Sequence, residues 1–121
     1  MLKRFTHIAL AASLLLLVTG AALPSPQEKA QKTPKDQQEY ELINQAFKET
    51  DPAKKIQLLQ QWKDKYPETA FSVERVQQFM AAYQATNQVA KAIASAKELL
   101  KIEPENFSAY VTITTTTPSA S

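Results

Sequence analysis

The 121-residue sequence contains no cysteine, one glycine (Gly20) and one histidine (His7). Without cysteine the chain can form no disulfide and has no thiolate for catalysis or metal binding. Because His7 falls within the first 22 residues, the rest of the chain also lacks an imidazole. That remainder therefore has no histidine general base and no His/Cys metal site.

Carboxylate-only chemistry and Ser–Lys arrangements remain open on composition alone. However, the acidic residues that could serve such chemistry lie where a solvated helix face or helix end would place them: Glu39, Glu41, Glu103 and Glu105. We therefore predict that the protein is not an enzyme and that it uses no metal or other cofactor.

The first 22 residues have the three parts of a secretory signal peptide. Two basic residues precede an apolar run over residues 8–18, and small residues occupy positions 20–22. The run is shorter than the ~20 residues that a membrane-spanning helix needs. We expect cleavage after Ala21 or Ala22 and export to the periplasm or the medium. The alternative is an uncleaved membrane anchor.

Removal of the signal peptide leaves the chain without an excess of either charge. The sequence has 14 basic and 12 acidic residues, and Lys3 and Arg4 leave with the signal, so 12 of each sign remain. A nucleic-acid-binding protein normally carries a basic surface that displaces counterions from phosphate. The neutral balance therefore argues against nucleic acid as a partner. It also argues against a lipid-associating amphipathic helix, which needs a basic polar face.

Beyond the signal peptide, residues 23–35 contain three prolines and few large apolar groups. This composition predicts a disordered linker. Thr33 would then cap the first helix, with Pro34 in its first position, and Asp51 and Pro52 would begin the second helix in the same way.

Apolar residues after the linker follow helical spacing, and no sustained alternation typical of strands interrupts them before the last few positions. We predict four helices, with breaks at Asp51–Pro52, Pro67, Asn87 and Pro104. The fold class is therefore all-α. The aromatic side chains that we assign to the core are Trp62, Phe79 and Tyr83.

The second and fourth helices align as copies of one unit. "PAKKIQLLQQWKDKYPET" lies over "VAKAIASAKELLKIEPEN" when Pro67 is placed on Pro104, which gives a period of 37 residues. A two-helix unit that cannot bury its apolar face alone is typical of a solenoid. The alternative is an ordinary four-helix bundle.

The residues of this unit resemble the tetratricopeptide repeat, whose pattern is W-x2-L-G-x2-Y, A-x3-F and P. "AKELLKIEPEN" is similar to the end of such a repeat, and "LLQQWKDKYPETAF" is similar to the variety found in bacterial envelope proteins. The second repeat matches better, through Val76, Phe79, Tyr83, Ala92 and Ala96, although Met80 stands where the family has glycine.

The resemblance implies repeats over residues 36–69 and 70–106, an incomplete third-repeat helix over residues 107–117 and a tail over 118–121. Lys55 stands at a small-residue position, so we expect the first repeat to pack less tightly. The β-branched residues Thr114–Thr117 are poor helix formers, and Pro118 should end this third-repeat helix. Three explanations of the incomplete repeat remain open: the chain is a fragment, a partner or a second copy covers the exposed end, or the chain ends in a natural tail.

Tetratricopeptide repeats usually bind proteins or peptides on a concave face lined by the first helix of each hairpin. The resemblance implies an exported, non-catalytic interaction scaffold, or alternatively the N-terminal part of a larger solenoid or envelope protein.

Self-association through the C-terminal end is a further expectation, whereas a stable membrane span after cleavage is not expected. Phe47 also has the character of a core residue. The positions that would contact a partner are Tyr40, Asn44, Phe47, Glu74, Gln77, Ala81 and Gln84.

Overall fold

The computed structural model describes residues 31–116, and every regular element in that range is an α-helix. This confirms the all-α prediction. The predicted signal peptide, most of the predicted linker and the predicted tail lie outside the described residues. The helices are α1 (Gln37–Lys48), α2 (Pro52–Lys65), α3 (Ser72–Ala85), α4 (Val89–Ile102) and α5 (Phe107–Thr116).

Each helix packs mainly on the next helix along the chain, and the α3–α4 contact is the most extensive. The core consists of two clusters of buried side chains. Ile43, Leu59 and Trp62 belong to the first, and Leu99 and Ala109 belong to the second. Helix α3 joins the clusters because its side chains contribute to both.

The 37-residue repeat is visible in the helix boundaries. Helix α4 begins and ends 37 residues after α2, whose limits are Pro52 and Lys65. Trp62 and Leu99, which align at this spacing, are both fully buried. The residue after each helix donates its backbone N–H to the carbonyl of that buried residue at 2.8 Å. Both helices end just before a proline, as predicted.

Packing differs between the hairpins at the position where Lys55 aligns with Ala92. Ala92 is fully buried and lets α4 approach α3 closely. Lys55 is only partly buried, and its Nζ donates to Gln78 Oε1 at 3.1 Å. The α1–α2 contact of the first hairpin is less extensive than the α3–α4 contact of the second.

The predicted start of the first helix is wrong. Asp36, and not Thr33, caps α1, so Pro34 lies outside the helix. Asp36 Oδ1 accepts the backbone N–H of Glu39 at 2.8 Å and the hydroxyl of Tyr66 at 2.6 Å. Capping by Thr33 would lose both bonds of Asp36. The bond to Tyr66 ties α1 to the end of α2. The predicted Asp51 cap of α2 is confirmed, since its carboxylate accepts two backbone N–H groups.

Asn87 ends the α3 region as predicted, with a left-handed backbone (φ 57°). Asparagine tolerates this conformation better than most residues with a Cβ. The chain therefore turns sharply between α3 and α4 without glycine.

Helix α5 continues through Thr114 to Thr116, although β-branched residues are poor helix formers. The hydroxyls of Thr114 and Thr115 donate to the carbonyls of Tyr110 and Val111 one turn earlier. Intrahelical bonding of this kind satisfies the hydroxyls without leaving the helix. Packing against α4 also favours the helix over its weak intrinsic propensity.

Candidate partner-binding surface

The three candidate residues of α1 share one face of the helix, since they are spaced by four and three residues. Tyr40 is 52% exposed and Phe47 is 39% exposed. Phe47 also makes an edge-to-face contact with Trp62, with 6.2 Å between ring centroids. Asn44 lies between them and donates its side-chain amide to the Tyr40 carbonyl at 3.0 Å. The face therefore presents two aromatic rings, one of them partly held by the core.

The four candidate residues of α3 also share a face, but two of them are already engaged. Glu74 forms an ion pair with Lys32, with 2.6 Å between Nζ and Oε1. Gln84 donates to the Thr112 hydroxyl of α5 at 3.2 Å. Gln77 is partly exposed and Ala81 is exposed.

The candidate residues of α1 and those of α3 form two separate groups. Within residues 31–116, no hydrogen bond, ion pair or ring contact joins a candidate residue of α1 to one of α3. Lys32, just before α1, reaches Glu74 at one end of α3, and α5 contacts the other end through Gln84.

A buried polar network holds α1 against the turn between α2 and α3. At its centre is Glu39, whose side chain is fully buried. Its Oε1 accepts the indole N–H of Trp62 at 3.0 Å and the hydroxyl of Thr69 at 2.5 Å. Its Oε2 accepts the backbone N–H of Lys35 at 2.6 Å. The expectation that Glu39 lies on a solvated face is therefore wrong, whereas Glu41, Glu103 and Glu105 are exposed as expected.

Arg75 secures the same turn from α3. Its guanidinium donates to the carbonyls of Tyr66 and Pro67 at 2.6 and 2.9 Å. It also lies over the Trp62 ring, 5.1 Å from the centroid. Burial lowers the pKa of Arg75. Together with Glu39, this side chain fixes the position of α3 relative to α1, the two helices that carry the candidate residues.

Hydrogen bonding in this network shifts the pKa values of three side chains. The Tyr66 hydroxyl lowers the pKa of Asp36 from 3.8, and Asp36 in turn raises the pKa of Tyr66 to about 12. Burial alone would raise the pKa of Glu39, but the bonds from Lys35, Thr69 and Trp62 outweigh it and lower that pKa below 4.5. The charged form of Glu39 is thus the form that the fold stabilises.

We expect the free energy of unfolding to fall in acid because the pKa values of Asp36 and Glu39 are lower in the folded state. Their stabilising contribution is complete above the unfolded values of 3.8 and 4.5, and it is lost as the pH falls through the folded values. Urea unfolding between pH 7 and pH 2 measures this loss. The Glu39→Gln variant should show a shallower decline than the parent, and an identical decline would contradict the assignment.

Two local signals in the sequence could have located this network. Asp36 followed three residues later by Glu39 has the spacing of a capping box. A tryptophan placed in the core also needs an acceptor for its indole N–H, and Glu39 lies 23 residues before Trp62. Arg75 had no comparable signal, because its acceptors are backbone carbonyls of a turn.

Among residues 31–116, no group of three or more acidic side chains is arranged to hold a metal ion. In the same part of the chain, no helix has both the length and the apolar character to cross a membrane. No family model, curated protein or solved structure matches the chain.

Proposed function

We propose that this chain is an exported, non-catalytic protein-interaction module built from tetratricopeptide-like hairpins. The observation that carries the proposal is the pair of exposed aromatic rings, Tyr40 and Phe47, on one face of α1. Aromatic side chains supply a large part of the binding energy at protein interfaces. The 37-residue offset between α2 and α4 supports the repeat architecture on which the assignment of this face depends.

The geometry favours a protein or peptide partner over a small molecule. The candidate surface extends along helix faces, and its exposed residues combine aromatic, amide and small side chains. A cleft of 220 Å³ adjoins it, lined by Ala81, Ala82, Ala85 and Pro52 among others. This cleft is below the ~300 Å³ of ordinary ligand pockets but can accept one small apolar side chain of a peptide.

We expect Tyr40→Ala to weaken partner binding about tenfold, because truncation of an interface aromatic commonly costs more than 1 kcal/mol. Gln77→Ala should weaken it less. Cross-linking in the native envelope, followed by affinity purification, would identify the partner, and titration with that purified partner would measure the dissociation constants. Gln61→Ala, on an exposed position of α2, is the matched control.

Circular dichroism of each variant separates a binding effect from unfolding. Unchanged partner binding by Tyr40→Ala, with helicity intact, would remove Tyr40 from the interface. A loss of binding that is equal in Gln61→Ala would show that the effect is not specific to the candidate surface.

The proposed export is tested by the intact mass of the protein isolated from its native source. A mass corresponding to residues 22–121 or 23–121, recovered from the periplasm or medium, would support cleavage after Ala21 or Ala22. A mass that includes residues 1–21 would instead indicate a retained anchor. A much larger mass would support the alternative, the N-terminal part of a larger solenoid.

A further inference from the structure

Helix α5 presents an apolar face to solvent at one end of the fold. Phe107 is 79% exposed, Tyr110 50% and Val111 38%. Together with Thr114 they occupy positions i, i+3, i+4 and i+7, which form one stripe along a helix. The opposite side of α5 packs on the core through Ala109 and Thr112, both of which are buried. We call the stripe of Phe107, Tyr110, Val111 and Thr114 the α5 face.

The α5 face is also free of charge. Helix α5 contains no acidic and no basic residue, whereas each of the other four helices contains at least one. A partner that recognised this face through charge complementarity would find nothing to pair with. A symmetric contact between two copies instead favours an uncharged surface. Side chains near a two-fold axis lie close to the same side chains of the other copy, so like charges there would repel.

We propose that two copies of this chain associate through the α5 face, with the two α5 helices antiparallel across a two-fold axis. The stripe is suited to this arrangement because Tyr110 and Val111 lie at the middle of Phe107–Thr116. An antiparallel pair would place Phe107 of each copy against Thr114 of the other. Tyr110 of each copy would meet Val111 of the other, and the two Val111 side chains would lie beside the axis.

The antiparallel direction follows from the charges near the start of α5. Glu103 and Glu105 are exposed in the turn before the helix. A parallel pair would bring these four carboxylates of the two copies together, whereas an antiparallel pair places them at opposite ends. The helix dipoles also interact favourably when the helices are antiparallel.

The association should be weak and dependent on concentration. A ten-residue helix is about 15 Å long, so one such helix from each copy buries less than the ~1,600 Å² of a standard interface. This contact uses a different surface from the candidate residues of α1, so it does not depend on the proposed function.

Sedimentation equilibrium on protein expressed from the complete reading frame tests the proposal. We expect a reversible monomer–dimer equilibrium, and Val111→Lys and Val111→Glu should each raise the dimer dissociation constant at least tenfold. An equimolar mixture of the two variants should recover a heterodimer, because opposite charges then meet near the axis. Ser108→Lys, at an exposed position of α5 outside the stripe, is the matched control.

Cysteine cross-linking gives a second readout, since the chain has no cysteine of its own. Val111→Cys should form a disulfide-linked dimer under mild oxidation, and Ser108→Cys should not. Circular dichroism must show unchanged helicity in every variant that is compared.

Three outcomes would overturn the proposal. One is a parent protein that remains monomeric at the highest concentration reached, as expected if a different partner or further chain covers this face. Another is a dimer that Val111→Lys leaves unchanged, which would place the contact elsewhere. The third is a folded Lys and Glu pair that fails to combine on mixing, which would exclude the two-fold arrangement around Val111.

Discussion

Glu39→Ala is expected to lower the free energy of unfolding by about 2–3 kcal/mol, because it leaves buried donors without an acceptor. The substitution removes the acceptor of the Trp62 indole N–H, the Thr69 hydroxyl and the Lys35 backbone N–H. Trp62 is fully buried, so water cannot replace the lost bond without opening the core. Urea unfolding followed by the fluorescence of Trp62, the only tryptophan in the chain, measures the change.

The controls for this prediction come from the same helix and the same position. Glu41→Ala removes an exposed carboxylate from α1 and should change the stability by no more than about 0.5 kcal/mol. Glu39→Gln should fall between the two alanine variants, since its amide oxygen can still accept from Trp62 while its amide nitrogen cannot accept from Lys35. Equal stabilities of Glu39→Ala and Glu41→Ala would show that the buried network contributes little.

If Glu39 positions α3 relative to α1 in addition to stabilising the fold, its removal should also weaken the proposed partner binding. The network joins α1 to the turn before α3, where Arg75 holds two carbonyls. The expected order of partner affinity is parent, then Glu39→Gln, then Glu39→Ala, measured at a temperature where all three remain folded.

Leu99→Ala is expected to destabilise the second hairpin by about 2–5 kcal/mol, since it removes a fully buried side chain from the core. Leu59→Ala is the matched substitution in the first hairpin, and Leu59 is equally buried. The comparison is informative because the two leucines belong to different core clusters.

Amide hydrogen exchange of the two variants distinguishes a repeat array from a single bundle. In a repeat array each unit contacts only its neighbours, so protection should fall most in the substituted hairpin. We expect Leu99→Ala to expose α4 and α5 first and Leu59→Ala to expose α1 and α2 first. An equal loss of protection in all five helices after either substitution would favour the four-helix-bundle alternative, with α5 attached to it.

Much of the fold could be predicted because its signals are local. Proline stops a helix for covalent reasons, so Pro67 and Pro104 marked the ends of α2 and α4 within about a residue. The Asp51–Pro52 cap and the left-handed Asn87 are likewise properties of short segments. Helical spacing of apolar residues then placed Trp62 and Phe79 in the core, where the structure has them.

The residues of the candidate surface could be predicted, but the contacts that some of them make could not. The resemblance to tetratricopeptide repeats implied that Tyr40 and Phe47 lie on a partner-binding face of α1, and both are exposed. It could not show that Glu74 pairs with Lys32, or that Gln84 bonds to Thr112. These contacts join residues 42 and 28 positions apart, and they form only when the helices pack.

The sequence by itself determined the helical class, the 37-residue repeat and most helix ends, because spacing, caps and prolines act within a few residues. Only the tertiary structure supplied the bond from Tyr66, 30 residues away, that reinforces the Asp36 cap over a start at Thr33. It also decided that Glu39 is buried, because a carboxylate is retained in a core only where distant donors converge on it. The same packing kept the threonines of α5 helical and left Phe107, Tyr110 and Val111 facing solvent.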